Sequence, residues 1–538
     1  MKTCLVFPPQ IIPTSPPLGI SLLKSYVEKN TEQKVKNIDL NLFFHNNVIQ
    51  NFIDGKFPIY SEDKKNNKSI ELIKKSLEIF KKQEKSIVTK KSKSQKSLSD
   101  FIRKSDFFNP DVYNPCANEF LYLFDKIFNA NRPLLESFVN NQAEIGNALA
   151  PFTKEIIKES PELIGFSILT TEQIYYTLAL AKKLKQETNA KIIIGGASVR
   201  LFPEKFLKYD FIDYVIDGDG EIALKELIEG KDKSKIKNII YREKNEIIKN
   251  EQQNIDINNT PPPDFSDFDL DNYFSPKRVL TTLTSRGCYW KKCTFCADYN
   301  TIPMQYRQKE VNNLIKELKF LKEKYKTNYF YFADEMISPM MFDKISKALI
   351  KENLNIKYYT QAKPKGFSLE LLKQMKQSGC TTIMWGIESA SQRILDLINK
   401  GTNVKEAEDI IKQSHTAKIK NAVYAFGGFP TETEQEYNQT IEFLKRNKDY
   451  IDLQFTGLFR LTEDSEIEQN PEKFKIKLKT KSEDEFDPTY DYEVNEGISQ
   501  EKSMELFNKN YSFLLSLNKF SPFLGKFRDH ILVYFNEK

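Results

Sequence analysis

Cys288, Cys293 and Cys296 lie in the run Thr284-Ser285-Arg286-Gly287-Cys288-Tyr289-Trp290-Lys291-Lys292-Cys293-Thr294-Phe295-Cys296, so one loop holds half of the six cysteines. Thiolates bind soft metals and iron–sulfur clusters, and a [4Fe-4S] cube held by three cysteines keeps one iron open to a substrate or cofactor. A zinc site is the competing chemistry, but it needs a fourth Cys or His close by. The nearest histidine, His415, is more than a hundred residues away. A cluster is therefore preferred, with zinc and then free structural thiols behind it. Cys4, Cys116 and Cys380 read as ordinary buried thiols. Such cysteine usage makes no disulfide framework and suggests a reducing, cytoplasmic setting and sensitivity to oxygen.

Two blocks of alternating strand and helix patterns position these residues, and each favours a parallel sheet. In the first, apolar runs at Cys4 to Phe7, Val35 to Ile38, Leu163 to Ile168, Lys191 to Ile194 and Ile212 to Ile216 alternate with amphipathic segments starting near Leu18, Glu172, Pro203 and Glu221. This predicts a doubly wound domain over 1–230, interrupted over about 45–160 by a largely helical insertion whose polar stretch, Ser61 to Ser99, includes disordered parts. Residues 231–276, with Pro261-Pro262-Pro263, read as a linker. The second block, 277–461, has strands at Val279 to Thr284, Tyr329 to Phe332, Ile356 to Gln361, Thr381 to Trp385, Ala422 to Phe426 and Ile451 to Phe455. It predicts a partial (β/α)6 barrel of the TIM type with its reactive groups at the C-terminal strand ends, where the cysteine loop emerges. A small α-rich segment, 462–538, follows and is expected to be substrate-related.

At 538 residues the chain exceeds one hydrophobic core. Its net charge of +6 comes from 80 basic against 74 acidic residues, a balance that does not mark a nucleic-acid binder. The lysines from Lys90 to Lys96 read as a solvated loop. No apolar run reaches the roughly 18 residues that span a bilayer, and the N-terminus lacks a signal-peptide core. A soluble, unprocessed protein is expected.

Four further features follow the cysteine loop in order: Arg307; Asp334 and Glu335 at a strand end; Glu388 and Ser389 in Gly386-Ile387-Glu388-Ser389; and Gly427-Gly428-Phe429-Pro430-Thr431-Glu432-Thr433. With the cysteines, and with Phe295 before the last of them, they make Val279 to Arg460 resemble the radical S-adenosylmethionine enzymes. The commonest pattern in that family has three residues between its first two cysteines, whereas this loop has four. The resemblance implies cluster ligation by the three cysteines and contact of Asp334 and Glu335 with the methionine amino group. It also implies a ribose or methionine contact for Glu388 with Ser389, close passage of Gly427 and Gly428 along the adenine, and a carboxylate contact for Arg307. Without it, Asp334 and Glu335 could simply cap a helix, and Arg307 could form a surface salt bridge.

The first block resembles the cobalamin-binding domain fused to one branch of that superfamily. Ser167-Ile168-Leu169 and the pair Gly195-Gly196 match its serine-x-leucine and glycine pair, and Pro17, Leu18 and Gly19, Thr170 and Thr171, and Gly218, Gly220 and Glu221 match its other loops. An ordinary doubly wound domain could use the same glycines merely for turns. No Asp-x-His-x-x-Gly segment supplies an axial histidine, and His45 is the only histidine in the block. The implied cobalamin therefore lacks a histidine lower ligand.

Together the resemblances imply a cobalamin-dependent radical S-adenosylmethionine enzyme, with methyl transfer to an unactivated carbon of a peptide or natural product as the first expectation. The reductant would be a flavodoxin or ferredoxin. A radical cyclase or rearrangement enzyme would keep the same motifs, and a non-enzymatic sensor or electron carrier is the reading from another class. Methylthiolation of tRNA is disfavoured, because neither a second upstream cysteine triad nor a small basic tail is present.

Overall fold

Strand β1 (Thr3–Phe7) is buried at all five positions, as a central parallel strand covered by helices on both faces must be. The computed structural model describes residues 1–54, 67–80, 106–297 and 305–536. Lys90 to Lys96 and most of Ser61 to Ser99 lie outside these residues. The chain forms two compact units, 1–280 and 281–538.

The first unit is built on a seven-stranded sheet of order β2-β1-β3-β4-β5-β6-β7. β2 is Val35–Asp39, β3 Leu163–Ser167, β4 Lys191–Gly195, β5 Tyr214–Ile216, β6 Ile239–Glu243 and β7 Glu246–Lys249. The strands β1 to β5 pair in parallel, and β6 and β7 add an antiparallel edge. That hairpin occupies part of the stretch read as a linker. Its turn uses Lys244 at φ 54° in place of the glycine that normally announces such a turn, which is why the pattern was hard to see. Helices Leu18–Asn30, Ile174–Glu187 and Gly220–Ile228 follow β1, β3 and β5, while the segment after β4 makes 3-10 turns at Ala197–Leu201 and Lys205–Lys208 rather than an α-helix.

Helices Leu40–Ile53, Asn67–Phe80, Pro110–Val139 and Ala150–Ile157 fill the interval between β2 and β3. Their packing is aromatic: Phe120 meets Phe124 at 4.3 Å, and His45 meets Phe124 at 4.2 Å. His45 is fully buried, its Nε2 donates to the carbonyl of Ile11 at 2.5 Å, and burial pushes its pKa down to about 3. It is a neutral core residue. The other two histidines are likewise packed against rings, His415 on Tyr450 and His530 on Phe527.

The second unit carries a six-stranded sheet of order β15-β14-β13-β12-β11-β8. β8 is Val279–Thr282, β11 Tyr329–Phe332, β12 Lys357–Ala362, β13 Cys380–Glu388, β14 Lys420–Gly427 and β15 Leu453–Leu458. Strands β11 to β15 are parallel throughout. Two short strands, β9 (Ser285–Arg286) and β10 (Arg307–Gln308), pair antiparallel at the two ends of the cysteine loop. Helices intervene between the main strands, giving the α/β partial barrel. The tail ends in helices Gln500–Ser516 and Arg528–Tyr534, preceded by a three-stranded antiparallel sheet of β16 (Leu461–Thr462), β18 (Thr489–Val494) and β17 (Ile476–Lys481). The alternation of Ile476 and Leu478 with Lys477 and Lys479 is the period-2 signal of that sheet.

Asp267 ties the end of the first unit to its sheet. It accepts hydrogen bonds from Lys24 Nζ at 2.6 Å, Lys36 Nζ at 2.8 Å and the backbone N–H of Asn37 at 2.9 Å. Burial raises its pKa, but these bonds outweigh that effect and hold it below the ordinary carboxylate value. Because the folded pKa is depressed, the stabilisation is present above the unfolded pKa near 4 and is lost as pH falls through the folded value. Asp267→Ala leaves Lys24 buried without its partner and is expected to cost about 3 kcal/mol at neutral pH. Amide hydrogen exchange in residues 3–7 and 35–39 should speed up accordingly, with the difference from wild type shrinking in acid.

Candidate functional site

The cysteine loop hangs from a closed clasp. At its start, Asp334 accepts from the N–H of Thr284 at 3.0 Å, from Thr284 Oγ1 at 2.8 Å and from Ser285 Oγ at 2.6 Å. All three residues are buried. Burial pushes the Asp334 carboxyl up, and the donors pull it partly back. At the end of the loop, the Lys309 N–H donates to the Thr284 carbonyl at 2.8 Å. Lys309 also pairs with buried Glu317 at 2.6 Å, which accepts from Thr282 Oγ1 at 2.6 Å. Between these anchors Cys288, Cys293 and Cys296 are reduced and half-exposed.

Cys293 and Cys288 are close enough for their charges to couple, and the Cys296 N–H donates to the Cys293 carbonyl at 3.2 Å. Among the described residues no three His, Cys, Asp or Glu side chains stand at metal-binding spacing, so seating a cluster requires the thiols to draw together. Three reduced thiols on one anchored loop are nevertheless the donor set a cluster needs. Phe295 turns inward against Phe426 at 5.4 Å. The indole of Trp290 donates to the Asn399 carbonyl at 2.7 Å and lies against Gly401, where a Cβ would stand 2.0 Å from the ring.

Glu388 ends β13 at φ 64° and forms a 2.6 Å ion pair with Lys400, both side chains being largely buried. A Cβ on Gly386 would stand 2.6 Å from the Glu388 carboxylate and 3.0 Å from Lys400 Nζ, so Gly386 makes room for the pair. Burial opposes the charge on Lys400, but Glu388 and the Cys293 and Cys288 thiols more than compensate and raise its pKa. Lys363 lies 3.2 Å from the centre of the Trp290 ring, and burial together with Lys365 and Lys400 pushes it down to about 8. The loop thus sits beside two buried amines, Lys400 and Lys363, which sequence reasoning missed because isolated lysines in a lysine-rich chain carry no pattern.

The remaining expected residues divide between open and structural positions. Glu335 is exposed at the end of β11, and Gln361 Nε2 holds the carbonyls of Asp334 and Glu335 at 2.8 and 3.2 Å. Arg307 lies in β10 opposite Arg286. Asp334 is wholly engaged in the loop clasp rather than open to a ligand. Ser389 is likewise buried, its hydroxyl receiving the Ser391 N–H at 3.1 Å. Gly427 leaves space for the Tyr437 ring, which a Cβ would approach to 2.3 Å, and Gly428 adopts φ 77° beside Ser503. The Gly428 N–H donates to Glu432, a fully buried carboxyl that burial pushes up to about 7 against the pull of the Gly428 and Phe429 backbone.

In the first unit, the strand order 2-1-3-4-5 places a switch point between β1 and β3, where such sheets bind ligands at their C-terminal ends. There Gly19 would meet Ser167 Oγ at 3.4 Å if it carried a Cβ, and Ser167 makes no side-chain hydrogen bond among the described residues. Leu169 is 51% exposed beside fully buried Ile168, an apolar surface suited to a large ligand. Gly195 and Gly196 end β4; a Cβ on Gly196 would strike the Ile168 carbonyl at 2.4 Å. Leu18 is half-buried, Pro17 is buried, and Thr170 and Thr171 open the short turn after Leu169. Gly218, Gly220 and Glu221 serve packing: Gly218 fits against Asn238, Gly220 against Leu23, and Glu221 is buried.

Family models for the B12 binding domain and the radical SAM superfamily match residues 136–228 and 282–444. An uncharacterised methyltransferase of Pyrococcus horikoshii is 33% identical over 315 residues, 54% of this chain and 66% of the relative. The cytidylyl-2-hydroxyethylphosphonate methyltransferase of Streptomyces wedmorensis is 24% identical over 55% of this chain and 63% of its own length. The matches therefore span less than two thirds of these relatives. The cobalamin-dependent S-adenosylmethionine radical enzyme OxsB superposes with a TM-score of 0.63 at 14% identity, covering 95% of this chain and 67% of OxsB. The radical S-adenosylmethionine methyltransferase TsrM of Kitasatospora setae gives 0.59 at 14%, covering 89% and 79%.

The clasp yields a test in metal-free protein. Asp334→Ala is expected to leave the Thr284 and Ser285 donors unsatisfied, cost about 2 kcal/mol and speed modification of Cys288 by a thiol reagent several-fold. Glu335→Gln should leave that rate at the wild-type value.

Proposed function

We propose that the chain, which carries a B12-binding domain followed by a radical SAM domain, is a cobalamin-dependent radical S-adenosylmethionine enzyme that methylates an unactivated carbon of a peptide or small natural product. The observation that carries this reading is the anchored loop bearing Cys288, Cys293 and Cys296 at the same sheet end as Glu388 and the Gly427-Gly428 turn. The methyltransferase names of two curated relatives support the reaction class.

In this reading Cys288, Cys293 and Cys296 hold the [4Fe-4S] cluster, and S-adenosylmethionine lies along Glu335, Arg307, Glu388 and the Gly427-Gly428 turn. Asp334 and Ser389 act as positioning residues, through the loop clasp and through the turn after β13. Lys400 orients Glu388 and supplies positive charge beside the thiolates, while Phe295 closes the inner side of the loop. Ser167, Leu169, Gly195 and Gly196, with Leu18 and Gly19, form the cobalamin cleft, and His45 stays in the core. When bound, the cofactors supply electron transfer, hydrogen abstraction and the methyl group; the protein supplies orientation and a dry site. A flavodoxin or ferredoxin would provide electrons. Among the described residues no helix is long and apolar enough to cross a membrane.

Protein expressed with cobalamin and purified without oxygen is expected to contain about four iron per chain and near-stoichiometric cobalt, and to release 5′-deoxyadenosine from S-adenosylmethionine under reducing conditions. Cys293→Ala should lose cluster absorbance and this product while retaining cobalt. Full turnover by that variant would exclude the assignment.

A further inference from the structure

The inner face of the second sheet changes character along its strands. Side chains alternate across a strand, so Tyr359, Gln361 and Lys363 share one face, as do Met384 and Gly386; the register shifts after Gly386, and the Glu388 carboxylate returns to that face, 2.6 Å from where a Gly386 Cβ would stand. Tyr424 joins the same face, its hydroxyl donating to Met384 Sδ at 3.5 Å. Below the level of Lys363 and Glu388 the lining is phenolic. Tyr331 and Tyr359 are register partners with rings stacked at 4.3 Å.

The tail closes on this band. Helix Arg528–Tyr534 packs on β11, β12 and β13, and the 3-10 turn Pro522–Gly525 before it sits tightly on β15, where a Cβ on Gly525 would stand 2.1 Å from the ring of Phe455. Asp529 is turned inward, buried, and accepts from the Tyr359 hydroxyl at 3.0 Å. Its chain neighbour is Arg528. It is exposed, and among the described residues it makes neither a hydrogen bond nor an ion pair, although its charge is felt by Tyr331, Tyr359, Tyr424 and Asp529. The Asp529 carboxylate is taken up by the Tyr359 hydroxyl, so among the described residues no carboxylate pairs directly with the Arg528 guanidinium, whose planar fork matches the oxygens of carboxylate and phosphoryl groups.

We propose that Arg528 is a specificity-determining residue that receives a carboxylate or phosphoryl group of the substrate beside the Tyr331, Tyr359 and Tyr424 band. This rests on the proposed function for the identity of the ligand as substrate, and it narrows that substrate to a small organic acid, a phosphate ester or an acidic peptide. The substrate's fixed charge would pair with Arg528, leaving its neutral part directed toward Glu388 and the cysteine loop.

Calorimetric titration of the cofactor-loaded full chain with phenyl phosphate, phenylacetate and neutral 2-phenylethanol tests the assignment. The favoured anion should bind at least about tenfold more tightly than the alcohol, and Arg528→Gln should weaken it about tenfold to a hundredfold, the range for a hydrogen bond to a charged group. Arg528→Lys should lose less. Preference for phenyl phosphate assigns a phosphoryl substrate, and preference for phenylacetate a carboxylate. Equal binding of anions and alcohol, wild-type affinity in Arg528→Gln, or equal losses in both variants would overturn the proposal. Iron and cobalt analysis of the same samples judges the proposed function separately, since anion binding is read without turnover.

Discussion

A buried carboxylate with every nearby donor turned toward it makes a rigid joint, and the second unit depends on such a joint at Asp334. Thr284, Ser285 and Asp334 are each no more than 1% exposed, so water offers no substitute partner if the joint opens. The desolvation that raises the carboxyl pKa also strengthens each bond it accepts. One strand end thus fixes the start of the cysteine loop, while Lys309 and Glu317 fix its return. The chemistry needs a loop mobile enough to gather three thiols and anchored enough to keep them over one sheet end. A clasp at both ends of the cysteine-bearing segment supplies the anchoring.

The glycines around the site illustrate a second constraint. Gly386 yields space to the Glu388–Lys400 pair, Gly401 to the Trp290 indole, and Gly427 to the Tyr437 ring. In each case the missing side chain admits a neighbouring protein group, so these glycines shape the walls first. Glu388 itself holds a left-handed backbone, a conformation disfavoured for a side chain with a Cβ and tolerated where surrounding bonds over-determine it. Its buried pairing with Lys400 is such a bond.

The parts of this architecture that repeat were legible in the sequence. Periodic burial announced both parallel sheets, and the cysteine spacing announced the loop. What escaped was local or long-range. The β6–β7 hairpin turns on Lys244 without a glycine, and the tail sheet hid among lysines whose alternation with Ile476 and Leu478 was short. Asp334 and Ser389 were singled out in the sequence as ligand contacts, but their hydrogen bonds join residues distant in sequence or folded into a tight turn, so their structural employment needed coordinates. Lys400 and Lys363 have the same explanation: a cation becomes distinctive only when the fold buries it beside thiols.

Charge on the inner face of the second sheet is therefore segregated by height. Lys363, Lys400 and Glu388 concentrate near the cysteine loop, the phenols of Tyr331, Tyr359 and Tyr424 occupy the middle, and Arg528 arrives from the tail. Aromatic rings below that charged layer give a lining that tolerates an apolar body. Because the tail supplies Arg528 and the barrel supplies Lys363, Lys400 and Glu388, the span between these charges is set by docking of the last helix. Substitutions in that helix can then alter which molecule fits without touching the residues that hold the thiols, a separation through which one cofactor scaffold can serve different substrates.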